Sequence, residues 1–399
     1  MSMRNITGAP AEGDDFFERP RELDRLLREL AQGSNLRINA PRRVGKTSLV
    51  LRLCKEWRLR ERKAVFLNVE DTTDELSFTE KLLDELLASD LQPDAITRCK
   101  LWIGNARRAL GISRISPSMD LELGDTGEGQ PATLARAVES VFEKIDADGR
   151  EVLIAIDEMP EALLALSQVP DGLARVSRLL HWLRALRQTH RRNIQWVFLG
   201  SIGLEGFVEE RLLGKTINDL TPFVLDALSP EEGDEFLERL GQDNDLPLES
   251  EIRSQIIARV GWPLPHHLQI VFHALREVGA DRVDDAALDR AFTNLLGPHH
   301  LTEFDTWRQR LDEQFSKPEA VAAKTILNHL CQHAKGRSRV QVLNALMQKK
   351  SDADPQAMEE QLARLLQLLQ RDGYLLESKG RYTFRSFLLR DYWHRRYVK

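Results

Sequence analysis

The residues best suited to chemistry lie in the segment NLRINAPRRVGKTSLVLRLCKEW, residues 35–57, where Gly45, Lys46 and Thr47 follow one another. Glycine lets a backbone approach a ligand closely, a lysine ammonium neutralises phosphate oxygens, and a threonine hydroxyl is a ligand for Mg²⁺. The spacing matches the phosphate-binding pattern G-x-x-x-x-G-K-[ST], except that Ala40 stands at the first position. That position needs only a small residue that begins the turn, so the segment predicts a nucleotide-binding loop. The predicted nucleotide-binding residues are Ala40, Pro41, Arg42, Arg43, Val44, Gly45, Lys46, Thr47 and Ser48.

A second polar group follows a continuous apolar run in EVLIAIDEMPEAL, residues 151–163. A strand that is apolar on both faces is typical of a parallel sheet, and such sheets bind ligands at the carboxyl ends of their strands. Asp157 and Glu158 are therefore expected at the edge where Lys46 and Thr47 arrive. We predict that Asp157, with Thr47, positions Mg²⁺ and that Glu158 polarises an attacking water. The alternative, a strand followed by an acidic helix cap, leaves the upstream loop unexplained.

A third strand of the same kind ends in IQWVFLGSIGLEGF, residues 194–207, with Gly200 and Ser201 after its apolar residues. By the same reasoning Ser201 is predicted to hydrogen-bond the attacking water or the γ-phosphate, as a sensor of the nucleotide. The alternative is that Ser201 caps the following helix.

The elements that must hold these residues alternate between strands and helices. The segment FFERPRELDRLLREL, residues 16–30, predicts a helix, and AVFLNVE, residues 64–70, predicts a further strand. A fifth strand is expected in DLTPFVLDAL, and Ser229 begins a region of helices only. This order predicts an α/β fold with a parallel sheet. Residues 90–131 read as a hairpin or an ordered loop, to which we assign no chemistry.

The composition restricts the class of protein. A chain of 399 residues, 42% hydrophobic and 30% charged, predicts a globular protein of two or three domains. No apolar run is long enough for a membrane span, and the N-terminus lacks the apolar core of a signal peptide. The three widely spaced cysteines argue against a disulfide framework, so we expect a cytoplasmic protein.

The C-terminal tail is basic although the whole chain carries a net charge of -6. Residues 324–399 contain 15 Lys and Arg against 7 Asp and Glu. Two helices, a third helix capped by Asp354, and a hairpin that turns at Lys379-Gly380 together predict a winged helix. Its third helix begins with two glutamates at its leading end, which disfavours phosphate contact there. Two alternatives therefore stay open, duplex DNA and a protein partner; the predicted phosphate-contacting residues are Lys379, Arg381, Arg395 and Arg396.

In their order along the chain, the motifs NAPRRVGKTS, VLIAIDE, VFLGSIGL and VGWPLPHHLQ resemble those of P-loop ATPases of the AAA+/STAND branch, and most of all the archaeal-type ATPases. The resemblance runs over about residues 16–296, and the tail resembles the winged-helix domain that such proteins often carry. It implies a P-loop core of the ASCE/AAA+ kind, a small helical lid and nucleotide-dependent movement between them. The implied cofactors are ATP and Mg²⁺.

The resemblance also implies further site residues. The segment FFERPREL resembles one that packs near adenine in these ATPases, which assigns Phe17 and Arg19 to adenine contact, although Glu18 replaces the glycine of the pattern. Pro265 lies in the turn where the lid of relatives approaches the nucleotide. Relatives supply an arginine finger to a neighbouring subunit after the sensor strand. Arg211 and Lys215 lie in that stretch, and we assign the role to Arg211, with an exposed helix arginine as the alternative. The resemblance also implies a homo-oligomer.

These predictions combine into one hypothesis, an ATP-hydrolysing switch whose nucleotide state is coupled to the winged helix. The alternatives are a slow-hydrolysing STAND-type scaffold that docks protein only, and an initiator that loads on DNA. The predicted domains are a flexible N-terminus (1–15), a P-loop core (16–228), a helical lid (229–296), a linker helix (297–320) and a winged helix (321–399).

Overall fold

The computed structural model describes residues 2–89, 130–200, 204–209, 211–280, 282–297, 302–349 and 354–398. Within these ranges no helix is both long enough and apolar enough to cross a membrane. The chain forms two compact units. The sheet unit contains Arg19–Asn39 and Leu49–Val224, and the helical unit contains Met1–Glu18, Ala40–Ser48 and Leu225–Lys399.

The sheet unit is built on strands that are all parallel to one another, in the order β2-β3-β4-β1-β5. Their bounds are β1 Asn35–Asn39, β2 Lys63–Asn68, β3 Val152–Asp157, β4 Ile194–Gly200 and β5 Leu220–Val224. Every residue of β3 and β4 is buried, as expected for strands with helices on both faces. The predicted parallel sheet is confirmed: β2 begins one residue and ends two residues before its predicted segment 64–70, and β5 lies within the predicted segment DLTPFVLDAL.

Seven described helices accompany this sheet. They are α1 Pro20–Ala31, α2 Lys46–Leu59, α3 Glu75–Ala88, α4 Gln130–Asp148, α5 Met159–Ser167, α6 Gly172–Thr189 and α7 Leu204–Glu209. The first helix begins at Pro20 and not at residue 16 as predicted, because proline has no N–H to donate and its fixed φ suits the first helical position. The segment 90–129 lies outside the described residues.

A buried ion pair ties α6 to the segment that leads into β5. The guanidinium of Arg187, which has no exposed surface, donates to both carboxylate oxygens of Asp219 at 2.7 and 3.0 Å and to the carbonyl of Thr216 at 2.7 Å. The same guanidinium lies 5.2 Å from the ring centre of Phe198 on β4. The loop before β5 is therefore fixed by side chains as well as by the sheet.

The helical unit continues with four helices, α8 Pro230–Asp243, α9 Ser250–Val260, α10 Pro265–Val278 and α11 Asp285–Leu295. Ser229 caps α8 as predicted, since its side chain accepts from the N–H of Glu232 while the Glu232 carboxylate accepts from the N–H of Ser229. Arg253 of α9 holds α8 through two bonds to the carboxylate of Asp234, at 2.8 and 2.9 Å.

The C-terminal part of this unit contains helices α12 Thr302–Gln314, α13 Lys317–Leu330, α14 Arg339–Met347, α15 Pro355–Arg371 and α16 Phe387–Tyr397. Its strands are β6 Arg337–Ser338, β7 Leu375–Ser378 and β8 Arg381–Phe384, which form an antiparallel sheet in the order β6-β8-β7. Asp354 caps α15 as predicted, and the predicted hairpin is present as β7 and β8. The short strand β6 was not predicted, because two residues show no alternation.

The N-terminal segment differs from the flexible segment that its Gly, Pro and acidic residues predicted. Met3 is completely buried, and its N–H donates to Asp243 Oδ2 at 2.7 Å. Arg4 pairs with Asp15 within the segment. The segment is therefore held by long-range hydrogen bonds, which have no periodic signature in the sequence.

Candidate functional site

The predicted phosphate-binding loop follows β1 and ends where α2 begins, at Lys46. Two of its residues have left-handed backbones, Arg43 with φ 67° and Gly45 with φ 92°. A side chain at Gly45 would have open space around it, so glycine is required here by its backbone conformation and not by crowding. A loop that turns into a helix N-terminus in this way presents backbone N–H groups and the positive end of the helix dipole, which suits an anion.

The lysine of the motif is buried within this loop. Only 6% of Lys46 is exposed, and its Nζ donates to the carbonyl oxygens of Ala40 and Pro41, both at 3.1 Å. Ser48, the third residue of the helix, accepts from the N–H of Ala11 at 2.9 Å. The backbone carbonyls at the start of the loop therefore hold the ammonium inside it.

The predicted acid pair stands at the end of β3, in the sheet unit. Asp157 is the last residue of the strand and is 1% exposed, and its Oδ1 accepts from the N–H of Glu158 at 3.0 Å. Glu158 has φ 56° and ψ 34°, a left-handed conformation that is unfavourable for a residue with a side chain. Strain of this kind persists only where the surrounding structure enforces it, and it concentrates at functional sites.

Within the sheet unit, the strands that lead to the predicted site residues end at one edge. Asn39, the last residue of β1, is paired with Gly200, the last residue of β4. Ile156, which precedes Asp157 on β3, is paired with Phe198, which lies two residues before Gly200 on β4. The carboxyl ends of β1, β3 and β4 therefore lie on the same side of the sheet, as the parallel arrangement predicted.

The register of β2 brings one further polar residue to this edge, which the sequence analysis missed. Asn68, the last residue of β2, is paired with Asp157 of β3. Paired residues of parallel strands point to the same face, so an amide side chain lies beside the acid pair. An asparagine at the end of a predicted strand was the available signal, and only the strand order showed which residue it neighbours.

The structure describes one of the two residues predicted as the sensor and the arginine finger. Ser201 lies outside the described residues. Arg211 is described: its Nη1 donates to the carbonyl of Phe207 at 3.0 Å, and its guanidinium lies 4.0 Å from the centre of the Phe207 ring. These contacts are local to the turn after α7, so the assignment of Arg211 as a finger stays a prediction.

Phe17 and Arg19, which were assigned to adenine contact, each have a partner within the protein. The ring of Phe17 packs edge-on against Phe236 with centroids 5.3 Å apart. Arg19 is buried and its Nη2 donates to the Glu22 carboxylate at 2.6 Å. Pro265 is the first residue of α10. The roles of Phe17, Arg19 and Pro265 toward a nucleotide remain predictions.

Two buried histidines follow Pro265 in the first turn of α10. Burial lowers the pKa of His267 to about 3, and the neighbouring His266 adds to the shift. The Nδ1 of His267 lies 3.4 Å from the hydroxyl of Ser386, the residue that caps α16. His267 is therefore neutral at physiological pH and belongs to the packing between α10 and α16.

The four basic residues predicted to contact phosphates of DNA or to face a partner are all exposed: Lys379, Arg381, Arg395 and Arg396. Two of them also bond the protein itself. Arg381 donates to the carbonyls of Lys335 and Gly336 at 3.1 and 3.2 Å, and Arg395 donates to the carbonyl of Thr293 at 3.3 Å.

Comparison with known proteins agrees with this architecture. A family model described as an AAA-like domain matches residues 9–90. No curated protein sequence matches the chain. Among solved structures, the Walker-type ATPase PABY2304 of Pyrococcus abyssi has a TM-score of 0.64 and 17% identity, over 98% of this chain and 99% of that one.

Two further solved structures are more distant in shape. The ORC1 protein of Aeropyrum pernix in complex with DNA has a TM-score of 0.43 and 13% identity, over 96% of this chain and 94% of that one. The RuvB Holliday junction branch migration motor of Thermotoga maritima has a TM-score of 0.42 and 14% identity, with 94% of each chain covered.

The protein has the α/β fold of P-loop ATPases, with a parallel sheet between helices, and the predicted fold class is confirmed. At 17% identity the likeness to the Pyrococcus ATPase is a likeness of fold.

Proposed function

We propose that the protein binds MgATP and hydrolyses it as a molecular switch. The observation that carries this proposal is the loop after β1, in which a buried lysine ammonium is held by the carbonyls of Ala40 and Pro41 beside a left-handed glycine at a helix start. A buried ammonium in such a loop is suited to a polyphosphate, since it neutralises charge where backbone N–H groups already point.

The two residues proposed to bind the metal both offer oxygen atoms, which are the ligands that Mg²⁺ prefers. The hydroxyl of Thr47 and the carboxylate of Asp157 would hold it, and the carboxylate is buried at the end of its strand. When bound, Mg²⁺ neutralises charge that develops on the phosphate oxygens. Within the sheet unit, β1, which leads into this loop, and β3, which ends at Asp157, have their carboxyl ends on the same side of the sheet, and this supports the proposal.

The chain's own residues have separate tasks in the proposed reaction. Lys46 binds the β- and γ-phosphates, and Glu158 takes the proton of the attacking water. Ser201 senses the γ-phosphate. Arg211 supplies positive charge to a neighbouring copy, which makes hydrolysis depend on assembly; a finger of this kind contributes about 10³–10⁵ in rate.

The C-terminal part of the helical unit is proposed to transmit the nucleotide state. Its order, α13, β6, α14, α15 and a β7–β8 hairpin, supports a winged helix over residues 321–399, with residues 229–296 as the lid. Exposed basic residues on this part, among them Lys379 and Arg396, favour duplex DNA as the partner through phosphate contacts. Docking to a protein alone is the other outcome that the experiment below distinguishes.

The test is the ATPase rate of the purified protein with Mg²⁺, with and without duplex DNA, over a range of protein concentrations. Lys46→Ala should abolish nucleotide binding or turnover. Lys55→Ala is the matched control, because Lys55 is exposed on the same helix and should leave both unchanged. Undiminished ATPase activity in Lys46→Ala contradicts the assignment of the site.

The same experiment separates the modes of action. Stimulation by DNA that rises with protein concentration would support an assembling DNA-dependent ATPase in which Arg211 acts between copies. Slow hydrolysis whose rate changes neither with DNA nor with protein concentration would instead support a switch that binds a protein partner. Binding to DNA should weaken steeply as salt is raised, since each phosphate contact releases counterions.

A further inference from the structure

The turn between α15 and β7 contacts the phosphate-binding loop, although the two are far apart in sequence. Gly373 in this turn has φ 84°. A Cβ added to Gly373 would lie 3.0 Å from Cγ of Pro41 in the loop and 2.6 Å from Cη2 of Trp262. The backbone of the turn therefore packs directly against both rings, and glycine is required by crowding as well as by conformation.

Pro41 connects this contact to the lysine of the loop. Its ring faces the Gly373 turn, and its carbonyl oxygen accepts from Nζ of Lys46 at 3.1 Å. The proline ring contains Cα, so displacement of the ring also moves the carbonyl group that is bonded to Cα. A change at the turn is thus transmitted to the ammonium through a single residue.

Trp262 closes the other side of the turn and is itself held in place. Its Nε1 donates to Oδ1 of Asp226 at 3.1 Å, and the guanidinium of Arg385 lies 4.2 Å from the centre of its ring. Arg385 also forms an ion pair with Asp226, and its backbone N–H donates to the carbonyl of Tyr374 at 2.9 Å. The indole is therefore held on one side by Asp226 and on the other by Arg385, the residue that follows β8.

We propose that Gly373 and Trp262 are positioning residues of the nucleotide site: the C-terminal part of the chain buttresses Pro41 and so places the Lys46 ammonium for phosphate. This inference rests on the proposed function, because it assigns a role toward the nucleotide that the loop is proposed to bind. Neither residue touches the nucleotide in this proposal.

The coupling has to be reciprocal. If docking of the turn improves nucleotide affinity, a bound nucleotide must stabilise the docked turn by the same factor. Two backbone amides report on the turn, since the N–H of Gly373 donates to Gln370 and the N–H of Tyr374 donates to Leu369, at 3.1 and 2.9 Å.

The experiment compares Gly373→Ala with Gly380→Ala in the full-length protein. Gly380 has φ 72°, close to that of Gly373, but an added Cβ would meet nothing within 4 Å. The two variants thus carry a similar backbone cost, and only Gly373→Ala disturbs Pro41 and Trp262. We expect the affinity for a fluorescent ADP analogue with Mg²⁺ to fall about fivefold or more in Gly373→Ala, the lower end of ordinary coupling between sites, and to stay unchanged in Gly380→Ala.

A measurement on the wild-type protein separates positioning from general damage. In the wild-type protein, the same analogue should slow hydrogen exchange at the amides of residues 373 and 374, a measurement that needs no variant to fold.

Equal affinity in Gly373→Ala and Gly380→Ala, or unchanged exchange in the turn when nucleotide is bound, overturns the inference and leaves the proposed function standing. If the wild-type protein binds no nucleotide, the proposed function fails first and the inference fails with it.

Discussion

The left-handed backbone of Glu158 leads to a prediction in which stability and activity change in opposite directions. With φ 56°, this residue carries the cost of a left-handed conformation, about 1–2 kcal/mol for a residue with a Cβ. Glycine removes that cost but loses about 0.5–1 kcal/mol through its greater freedom in the unfolded chain. Glu158→Gly should therefore stabilise the protein by a net of about 0.75 kcal/mol, the difference between the midpoints of the two ranges.

The same substitution removes the proposed general base, which contributes about 10²–10⁴ in rate. The N–H that donates to Asp157 belongs to the backbone, so it is kept in any variant at this position. Glu158→Gln is the matched control: it keeps the size and the strained backbone and loses only the ionisable group. We expect both variants to lose hydrolysis, and only Glu158→Gly to gain stability.

The assays are thermal unfolding by circular dichroism and phosphate release with saturating MgATP. For a unit of this size the expected gain corresponds to an unfolding temperature higher by about 2 °C in Glu158→Gly than in Glu158→Gln. Equal unfolding temperatures would show that the left-handed backbone carries no net cost. Retained hydrolysis in Glu158→Gln would exclude Glu158 as the base.

Two further predictions concern stability. Asp219→Ala leaves the buried guanidinium of Arg187 without its carboxylate and should lower the free energy of unfolding in urea by about 3–5 kcal/mol. Asp71→Ala, at an ion pair on the surface of the same unit, should lower it by about 1 kcal/mol or less. Similar losses in the two variants would refute the argument from burial. Because the pKa of His267 is lowered to about 3, the unfolded chain binds a proton at this side chain below about pH 6.5 while the folded protein does not. The free energy of unfolding should therefore fall as the pH is lowered from about 6.5 to 3. In His267→Gln that fall, measured as urea midpoints at pH 7 and pH 5, should be smaller, and an identical fall would exclude His267 as a cause.

Much of the sheet and the motif residues could be predicted because the relevant signals are local. A strand buried on both faces has to be continuously apolar, as VLIAID is, and a phosphate-binding loop has to place Gly45, Lys46 and Thr47 at one turn. Caps such as Ser229 also act over three residues, so their pattern is visible in the chain.

The features that the sequence left open depend on contacts between distant segments. The Gly, Pro and acidic residues of the N-terminus read as flexible, yet the bond from Met3 to Asp243 holds them. Asn68 and Asp157 are neighbours because β2 lies next to β3 in the sheet. The order of parallel strands depends on the crossover connections between them, and no local pattern in the sequence reveals that order.

By itself the sequence placed Gly45, Lys46 and Thr47 together in the loop after one strand, and Asp157 and Glu158 where another strand ends, because each group is a run of adjacent residues. Only the tertiary structure decided that Lys46 bonds Ala40 and Pro41 and that Gly373 packs against Pro41. A glycine at position 373 is visible in the sequence, but the crowding that requires it comes from rings contributed by two other segments, and packing at such distances along the chain has no local pattern.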